Sequence, residues 1–195
     1  MPRLFGAVAG DEKGVERMPK VKDLRDLFNE RAPFYTKFDF DNVGLLVGYG
    51  EKEVTRVLLA LDITDEVIEE AVGLGAELIV SHHPLIFEAL KKVTDEDAKG
   101  RKILRMIESG ISGICLHTNL DTADGGVNDA LMEALGAKVT GLLDPHGCHP
   151  DGCGVSADWR ESNPWARHQA SLYSFARLLS VSPVARHPKR ISASA

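Results

Sequence analysis

The sequence predicts an α/β fold with a mainly parallel sheet built from βαβ units. Short apolar runs rich in β-branched residues and leucine alternate with amphipathic segments of about 10–15 residues, which is the pattern of βαβ units. Glycines stand where the amphipathic segments end, as at many helix C-termini. A chain of 195 residues with 44% hydrophobic and 27% charged residues can bury the core that such a domain needs.

The first helix and strand are predicted before the βαβ units. Residues 1–17 are expected to form a loose N-terminal extension, and Met18 is a candidate start of translation. Apolar residues recur at helical spacing in "VKDLRDLF", and Pro33 lies beyond the expected end of this helix. The stretch "FDNVGLLVGYG" is a short apolar run bracketed by glycines, which predicts a strand with a turn on each side.

Three strand–helix pairs are predicted in the middle of the chain. The strands are "VTRVLLALDI", "ELIVSHH" and "ISGICLHTN", and the helices are "TDEVIEEAVGLGA", "DAKGRKILRMIESG" and "DGGVNDALMEALGA". Thr64 is placed to cap the first of these helices and Gly75 to end it. The inner face of that helix is expected to comprise Val67, Ile68, Ala71 and Val72. A further strand is predicted in "KVTGLL".

The composition excludes several classes of protein. A net charge of -6 disfavours a nucleic-acid or membrane-surface binder, because phosphates attract basic patches. No apolar run approaches the roughly 18 residues that span a bilayer, and the apolar segment near residue 1 is too short for a typical secretory signal. Three cysteines give no disulfide pattern. We therefore expect a cytoplasmic protein with neither a nucleic-acid nor a membrane partner.

The composition changes near Leu143. Before it, 25 acidic and 17 basic residues give a net charge of -8, whereas the 4 acidic and 6 basic residues from Leu143 onward give +2. Residues 18–143 are therefore expected to form the α/β domain and residues 144–195 an irregular tail. We hypothesise that the reading frame is lost near Leu143, with "SLYSFARLLS" as a helical remnant. The tail also contains His146, Cys148, His149 and Cys153, but their spacing matches no standard zinc pattern.

Candidate metal ligands follow the predicted strands. His82 and His83 lie where the second strand of the βαβ units ends, and His117 and Asp121 follow the third. Asp62 lies at the end of the first strand of the βαβ units. Because ligands of open α/β sheets bind outside the carboxyl ends of the strands, we expect these side chains to meet at one edge.

The residue types at this edge suit a pair of divalent cations. Pro84 favours an extended His83, so the two neighbouring imidazoles are expected to diverge and to serve two ions about 3.5–4 Å apart. Imidazole suits zinc, iron or manganese better than calcium, and Asp121 would supply negative charge. His117 is left open as a ligand, an orienting residue or a general base.

Structural roles that involve no metal are alternatives for several of these residues. A single histidine near a strand end is usually a hydrogen-bonded polar residue, and Asp62 is more typical of a loop or cap than of a ligand. The glycines of "DNVGLLVG" lack the spacing of a phosphate-binding loop and are interpreted as turn glycines. Cys115 lies in an apolar strand and is expected to be buried and inert.

The motifs "DNVGLLVG", "ALDIT", "ELIVSHHPLIF" and "HTNLDTADGGVNDAL" together resemble the GTP cyclohydrolase 1 type 2 homologues, also called Nif-three-like di-metal proteins. The resemblance covers about residues 18–143. It implies an α/β fold, a dinuclear metal centre, often a ring-shaped hexamer, and a proposed hydrolytic opening of the GTP purine ring. It also implies that His82 and His83 bind different metals, that Asp121 shares the metal of His83, and that His117 lies close to the centre.

The chain departs from the family pattern after Asp121. The family completes its site with a C-terminal histidine and, four residues on, a glutamate that bridges the metals. Here no His-x-x-x-Glu follows Asp121, where Glu133 and Glu161 are the only glutamates. We therefore expect a truncated half-site with weak or single-ion binding and little catalysis, and a hexamer becomes doubtful. A metal-dependent hydrolase, a non-catalytic metal-binding or interaction protein, and a defective product remain as alternatives.

Overall fold

The computed structural model of the chain describes residues 17–144 and 153–158 and confirms the α/β fold class. The helices are α1 (Val21–Arg31), α2 (Asp65–Leu74), α3 (Ala98–Glu108), α4 (Thr118–Thr122) and α5 (Val127–Leu135), with a 3-10 turn at Phe34–Thr36. The strands are β1 (Gly44–Val47), β2 (Val57–Ala60), β3 (Leu78–Ser81), β4 (Ser112–Cys115), β5 (Lys138–Asp144) and β6 (Cys153–Asp158). Within the described residues, no helix is both long and apolar enough to cross a membrane.

The main sheet has four strands in the order β1-β4-β3-β2. Strands β2, β3 and β4 are parallel, so their carboxyl ends meet at one edge as predicted. Strand β1 runs antiparallel to β4, with Gly44 opposite Cys115 and Leu45 opposite Ile114. The residues just before Gly44 therefore reach the edge where the parallel strands end.

Helices cover both faces of this sheet. Alternate residues of a strand point to opposite faces, and β3 shows this with Leu78 and Val80 in one core cluster and Ile79 in the other. The first cluster also contains Val21, Leu24 and Phe28 of α1, and the second contains Ile68, Ala71, Ile103 and Met106 of α2 and α3. All of β3 and β4 is buried, which gives the residues at their carboxyl ends a rigid support.

Helix α2 begins and ends as predicted. The Thr64 hydroxyl accepts a hydrogen bond from the Val67 N–H at 3.2 Å, and Gly75 ends the helix with a φ of 64°. Ile68 and Ala71 form its buried face. The prediction for Val72 was wrong, because that side chain is 37% exposed. It lies roughly 100° around the helix from Ala71 and so turns away from the sheet.

The segment "HTN" was predicted to continue β4 but leaves the sheet. Strand β4 ends at Cys115, and α4 begins at Thr118. Asn119 causes this change, since its Oδ1 accepts the His117 N–H at 2.9 Å and its Nδ2 donates to the Ala32 carbonyl at 2.8 Å. A short amide side chain thus competes with the strand for the backbone donor.

The second sheet is a two-stranded antiparallel pair. Strand β5 contains the predicted "KVTGLL" strand, and it pairs with β6 from Lys138 opposite Asp158 to Asp144 opposite Cys153. The tail after residue 143 therefore contains a strand. The predicted remnant helix, most of the N-terminal extension and the tail residues His146, Cys148 and His149 lie outside the described residues. The lost reading frame stays a prediction that sequencing of the encoding DNA tests.

Replacing Gly48 with alanine is expected to cost about 1–3 kcal/mol of stability. Gly48 has a φ of 97°, and an added Cβ would lie 2.7 Å from the Ser112 Cα. Gly73→Ala is the matched control, because no atom lies within 4 Å of its Cβ position inside α2. That variant should gain about 0.4–1 kcal/mol. Urea denaturation measures both, and equal effects would contradict this account of Gly48.

Candidate metal centre

His82 and His83 continue directly from the buried strand β3. Their backbone N–H groups donate to the carbonyls of Ala60 at 3.2 Å and Leu61 at 2.8 Å, which extends the pairing with β2 beyond Ser81. The centroids of the two imidazole rings are 5.1 Å apart, and the rings are inclined at 47°. The neighbouring histidines therefore present both rings at the same edge of the sheet.

His117 brings a third imidazole to this edge from β4. Its ring centroid lies 5.1 Å from that of His82 and 5.7 Å from that of His83. One ring nitrogen from each of the three histidines can be chosen so that all three lie within 4.8 Å of one another. Within the part of the chain that the structure describes, this is the one such group of potential ligands.

Asp121 approaches the histidines from the short helix α4. Its Oδ1 lies 3.8 Å from the Nε2 of His82, although Asp121 is outside the tight group of three histidines. The predicted residues His82, His83 and Asp121 thus lie on one edge, together with His117. Their assignment as metal ligands stays a prediction.

The Nδ1 atom of each histidine contacts an oxygen acceptor. The Nδ1 atoms of His82, His83 and His117 lie 2.9, 2.8 and 2.9 Å from Leu116 O, Asp62 Oδ1 and Asp41 Oδ1 respectively. An acceptor at Nδ1 favours the tautomer that carries its proton there, and this tautomer places the lone pair on Nε2. Metal-bound histidines show the same arrangement, with the other ring nitrogen donating to a carbonyl or carboxylate. The histidines therefore fit a metal.

Asp41 was not identified from the sequence, yet it is the most strongly bound of these acceptors. Its fully buried carboxylate accepts from His117, from the Thr118 N–H at 3.1 Å, from the Thr118 hydroxyl and from the Asn42 N–H at 2.7 Å. Burial acts to raise the pKa of Asp41, but the hydrogen bonds from Thr118 and His117 outweigh it and lower the pKa. Asp41 is therefore ionised and orients His117.

Asp62 lies in the loop between β2 and α2, as predicted, and its carboxylate contacts the His83 ring. Both side chains are about half exposed, so their interaction is screened by solvent and contributes little to stability. Its effect is to hold the orientation of one imidazole. The signal in the sequence was the position of Asp62 just beyond the end of β2, beside the strand that carries His83.

Burial controls the charge states of His82 and Asp121. It lowers the pKa of His82, although the Asp121 charge acts against this, and it raises the pKa of Asp121 against the opposing effect of His82. His82 is therefore neutral at pH 7, as a metal ligand must be. The carboxyl group of Asp121 resists ionisation in this setting, and a cation would relieve that cost.

Cys115 is buried as predicted, and its Sγ lies 3.1 Å from the His82 carbonyl oxygen. Burial raises the pKa of its thiol far above the usual range. Because a thiolate is the metal-binding form of cysteine, the neutral thiol is no competitor for the histidines.

The fold and the site define an α/β protein with a histidine-rich candidate metal centre at the carboxyl edge of its sheet. The chain belongs to the Duf34/NIF3 (NGG1p interacting factor 3) family, whose model matches residues 19–195. It is 48% identical over 125 residues to a GTP cyclohydrolase 1 type 2 homolog of Clostridium perfringens, a match that covers 64% of this chain and 48% of that relative.

Solved structures show the same relationship. A hypothetical protein of Staphylococcus aureus superposes with a TM-score of 0.62 at 41% identity, covering 66% of this chain and 42% of that one. Reduced HcgD from Methanocaldococcus jannaschii superposes with a TM-score of 0.63 at 27% identity, covering 82% and 60%. The chain spans about half the length of the curated relatives it matches.

Proposed function

We propose that the chain binds two divalent metal ions through His82, His83 and Asp121, and that it supports metal-dependent hydrolysis of a nucleotide or a related small molecule. The Nδ1 contacts of His82 and His83 are the observation that carries this proposal, because they set both imidazoles in the tautomer of a ligand. Relatives that carry the name GTP cyclohydrolase 1 type 2 homolog suggest the reaction class.

The spacing of the histidines is compatible with two ions as well as with one. Nitrogens bound to one tetrahedral zinc at about 2.0–2.1 Å lie roughly 3.4 Å apart, and one ring nitrogen of each histidine lies within 4.8 Å of the others. Two ions about 3.5–4 Å apart also fit within that limit. Imidazole and carboxylate together suit zinc, iron or manganese.

His117, oriented by Asp41, is placed to accept the proton of an attacking water. Bound divalent cations would lower the pKa of water and polarise the bond under attack. Asp41 holds the proton of His117 on Nδ1, so the Nε2 atom of His117 is the one that can accept a proton. We therefore assign His117 the role of general base, held in place by Asp41.

A non-catalytic metal-binding protein is the second candidate. In the described part of the chain, a single carboxylate, that of Asp121, approaches a histidine Nε2, at 3.8 Å. A donor set of this kind supports weak or single-ion binding without turnover. Location in the cytoplasm and assembly into a homo-oligomer remain predictions from the sequence and the family resemblance.

Elemental analysis of the purified chain, after incubation with zinc, iron or manganese and gel filtration, tests the metal site. The double variant His82→Ala/His83→Ala should bind metal at least 100-fold more weakly, because loss of an outer partner alone costs about 10–100-fold. The double variant His146→Ala/His149→Ala removes as many imidazoles from the tail and should retain the metal. Equal metal content in the two variants would contradict the site.

GTP turnover by the metal-loaded protein separates the two candidates. Product formation that depends on added metal and disappears in His117→Gln supports the hydrolase. Metal binding at the histidines without turnover supports the second candidate.

A further inference from the structure

Three phenylalanines form an aromatic surface beside the histidines, here called the aromatic rim: Phe38, Phe40 and Phe87. The ring centroids of Phe38 and Phe40 are 5.5 Å apart, and those of Phe40 and Phe87 are 6.3 Å apart. Phe40 is 66% exposed and Phe87 is 42% exposed. The rim continues into the candidate metal centre, because the Phe87 ring meets the His117 ring nearly edge-to-face at 6.4 Å.

Hydrogen bonds fix the rim relative to His117. The Phe38 N–H donates to the Thr118 hydroxyl at 3.1 Å, and Asp41, three residues on, holds the His117 ring. The neighbouring Asn42 donates from Nδ2 to the Ile86 carbonyl at 2.7 Å, which ties the turn at residues 38–42 to the loop that carries Phe87. The two exposed rings therefore belong to a built part of the site.

We propose that the aromatic rim, with Phe87 at its centre, binds a planar heteroaromatic ring of the nucleobase type and holds it beside the histidines. An exposed aromatic face stacks on any base, because every base presents a π-face. A small ligand suits the place better than a nucleic-acid strand, since the chain has a net charge of -6 and strands are bound by basic grooves.

The position of the rim indicates that it contacts the same small molecule as the candidate metal centre. Small-molecule sites combine aromatic walls with a few convergent polar groups, and here Phe87 touches both Phe40 and His117. The inference rests on the proposed function for the role of the ions, but stacking on the rim needs no metal. The two can therefore be tested apart.

Titration of guanosine by calorimetry, with ribose as the probe that lacks the heteroaromatic base, tests the rim in chelator and in manganese. Phe87→Leu keeps an apolar side chain but removes the π-face, so guanosine should bind about 10-fold more weakly, and Phe87→Tyr should restore binding. Tyr49→Leu is the matched control, because Tyr49 is 58% exposed beyond the other end of β1. It should leave binding unchanged, and Phe87→Leu should retain the metal.

Several results would contradict the proposal that the aromatic rim binds a heteroaromatic ring. Guanosine that binds no more tightly than ribose, or equally to Phe87→Leu and wild type, would remove the stacking role. A change of sedimentation in Phe87→Leu would instead make the rim a contact between copies of the chain. Guanosine binding in chelator that depends on Phe87, in a protein that takes up no metal, would support the rim and reject the proposed metal function.

Discussion

The variant Asp41→Asn is expected to have a free energy of unfolding about 3 kcal/mol lower than wild type and to turn over substrate at least about 100-fold more slowly. The Asp41 side chain is fully buried and accepts hydrogen bonds through both carboxylate oxygens. An amide turns one of these acceptors into a donor, and each buried hydrogen-bonding group left without a partner costs about 1–3 kcal/mol. The loss of turnover follows because His117, the proposed general base, is no longer held by the carboxylate.

Urea denaturation and metal-dependent GTP turnover measure the two effects of Asp41→Asn. Asp39→Asn is the matched control, because Asp39 lies two residues away in the same turn, carries the same charge and is exposed. It should change neither quantity by more than about 0.5 kcal/mol. If the two variants are equally stable, the Asp41 carboxylate is not the anchor of His117.

The pH dependence of stability checks the ionisation of Asp41. Its pKa in the folded protein lies below the usual value of 3.8, so the unfolded chain binds the proton more readily. The contribution of Asp41 to stability is therefore complete above about pH 4 and is lost as the pH falls through the lower folded pKa. Asp41→Asn should remove that part of the acid-induced decline, whereas Asp39→Asn should retain it.

The convergence of the histidines could be predicted from sequence because it depends on strand direction alone. Parallel strands end at the same edge, so the two histidines after β3 and "HTN" after β4 had to be neighbours once the βαβ units were recognised. The helix signals were equally local. Thr64 and Gly75 bound α2 through contacts with its own first and last turns, which a sequence window contains.

The anchors of the histidines could not be predicted in the same way. His82 is held by the Leu116 carbonyl, and a backbone oxygen has no signature in the sequence. His117 is held by Asp41, 76 residues earlier in the chain. Asp41 reaches the site because β1 pairs antiparallel with β4, and no direction was assigned to this strand from the sequence. Had the antiparallel direction of β1 been predicted, the acid of "FDNVG", Asp41, would have been placed at the carboxyl edge of the sheet.

Asp121→Asn is expected to change stability in opposite directions with and without metal. Burial raises the pKa of Asp121 above 3.8 in the folded protein. The stability that the protonated carboxyl group allows is therefore fully present below about pH 3.8. It is lost as the pH rises through the raised pKa of the folded protein, because the buried group then ionises. At pH 7 without metal, the neutral amide should raise the free energy of unfolding by at most about 1 kcal/mol, because the side chain is 36% exposed and solvent screens the charge.

With saturating metal, the order of the two proteins should reverse. Loss of a direct carboxylate ligand should weaken metal binding by at least the roughly 10–100-fold that an outer partner costs, and weaker binding gives less stabilisation. Thermal unfolding of wild type and Asp121→Asn in chelator and in manganese measures both arms. Asp124→Asn, an exposed acid three residues on, should follow wild type in both. If Asp121→Asn keeps one rank under both conditions, its carboxylate does not bind the ion, and the buried charge then has a different cause.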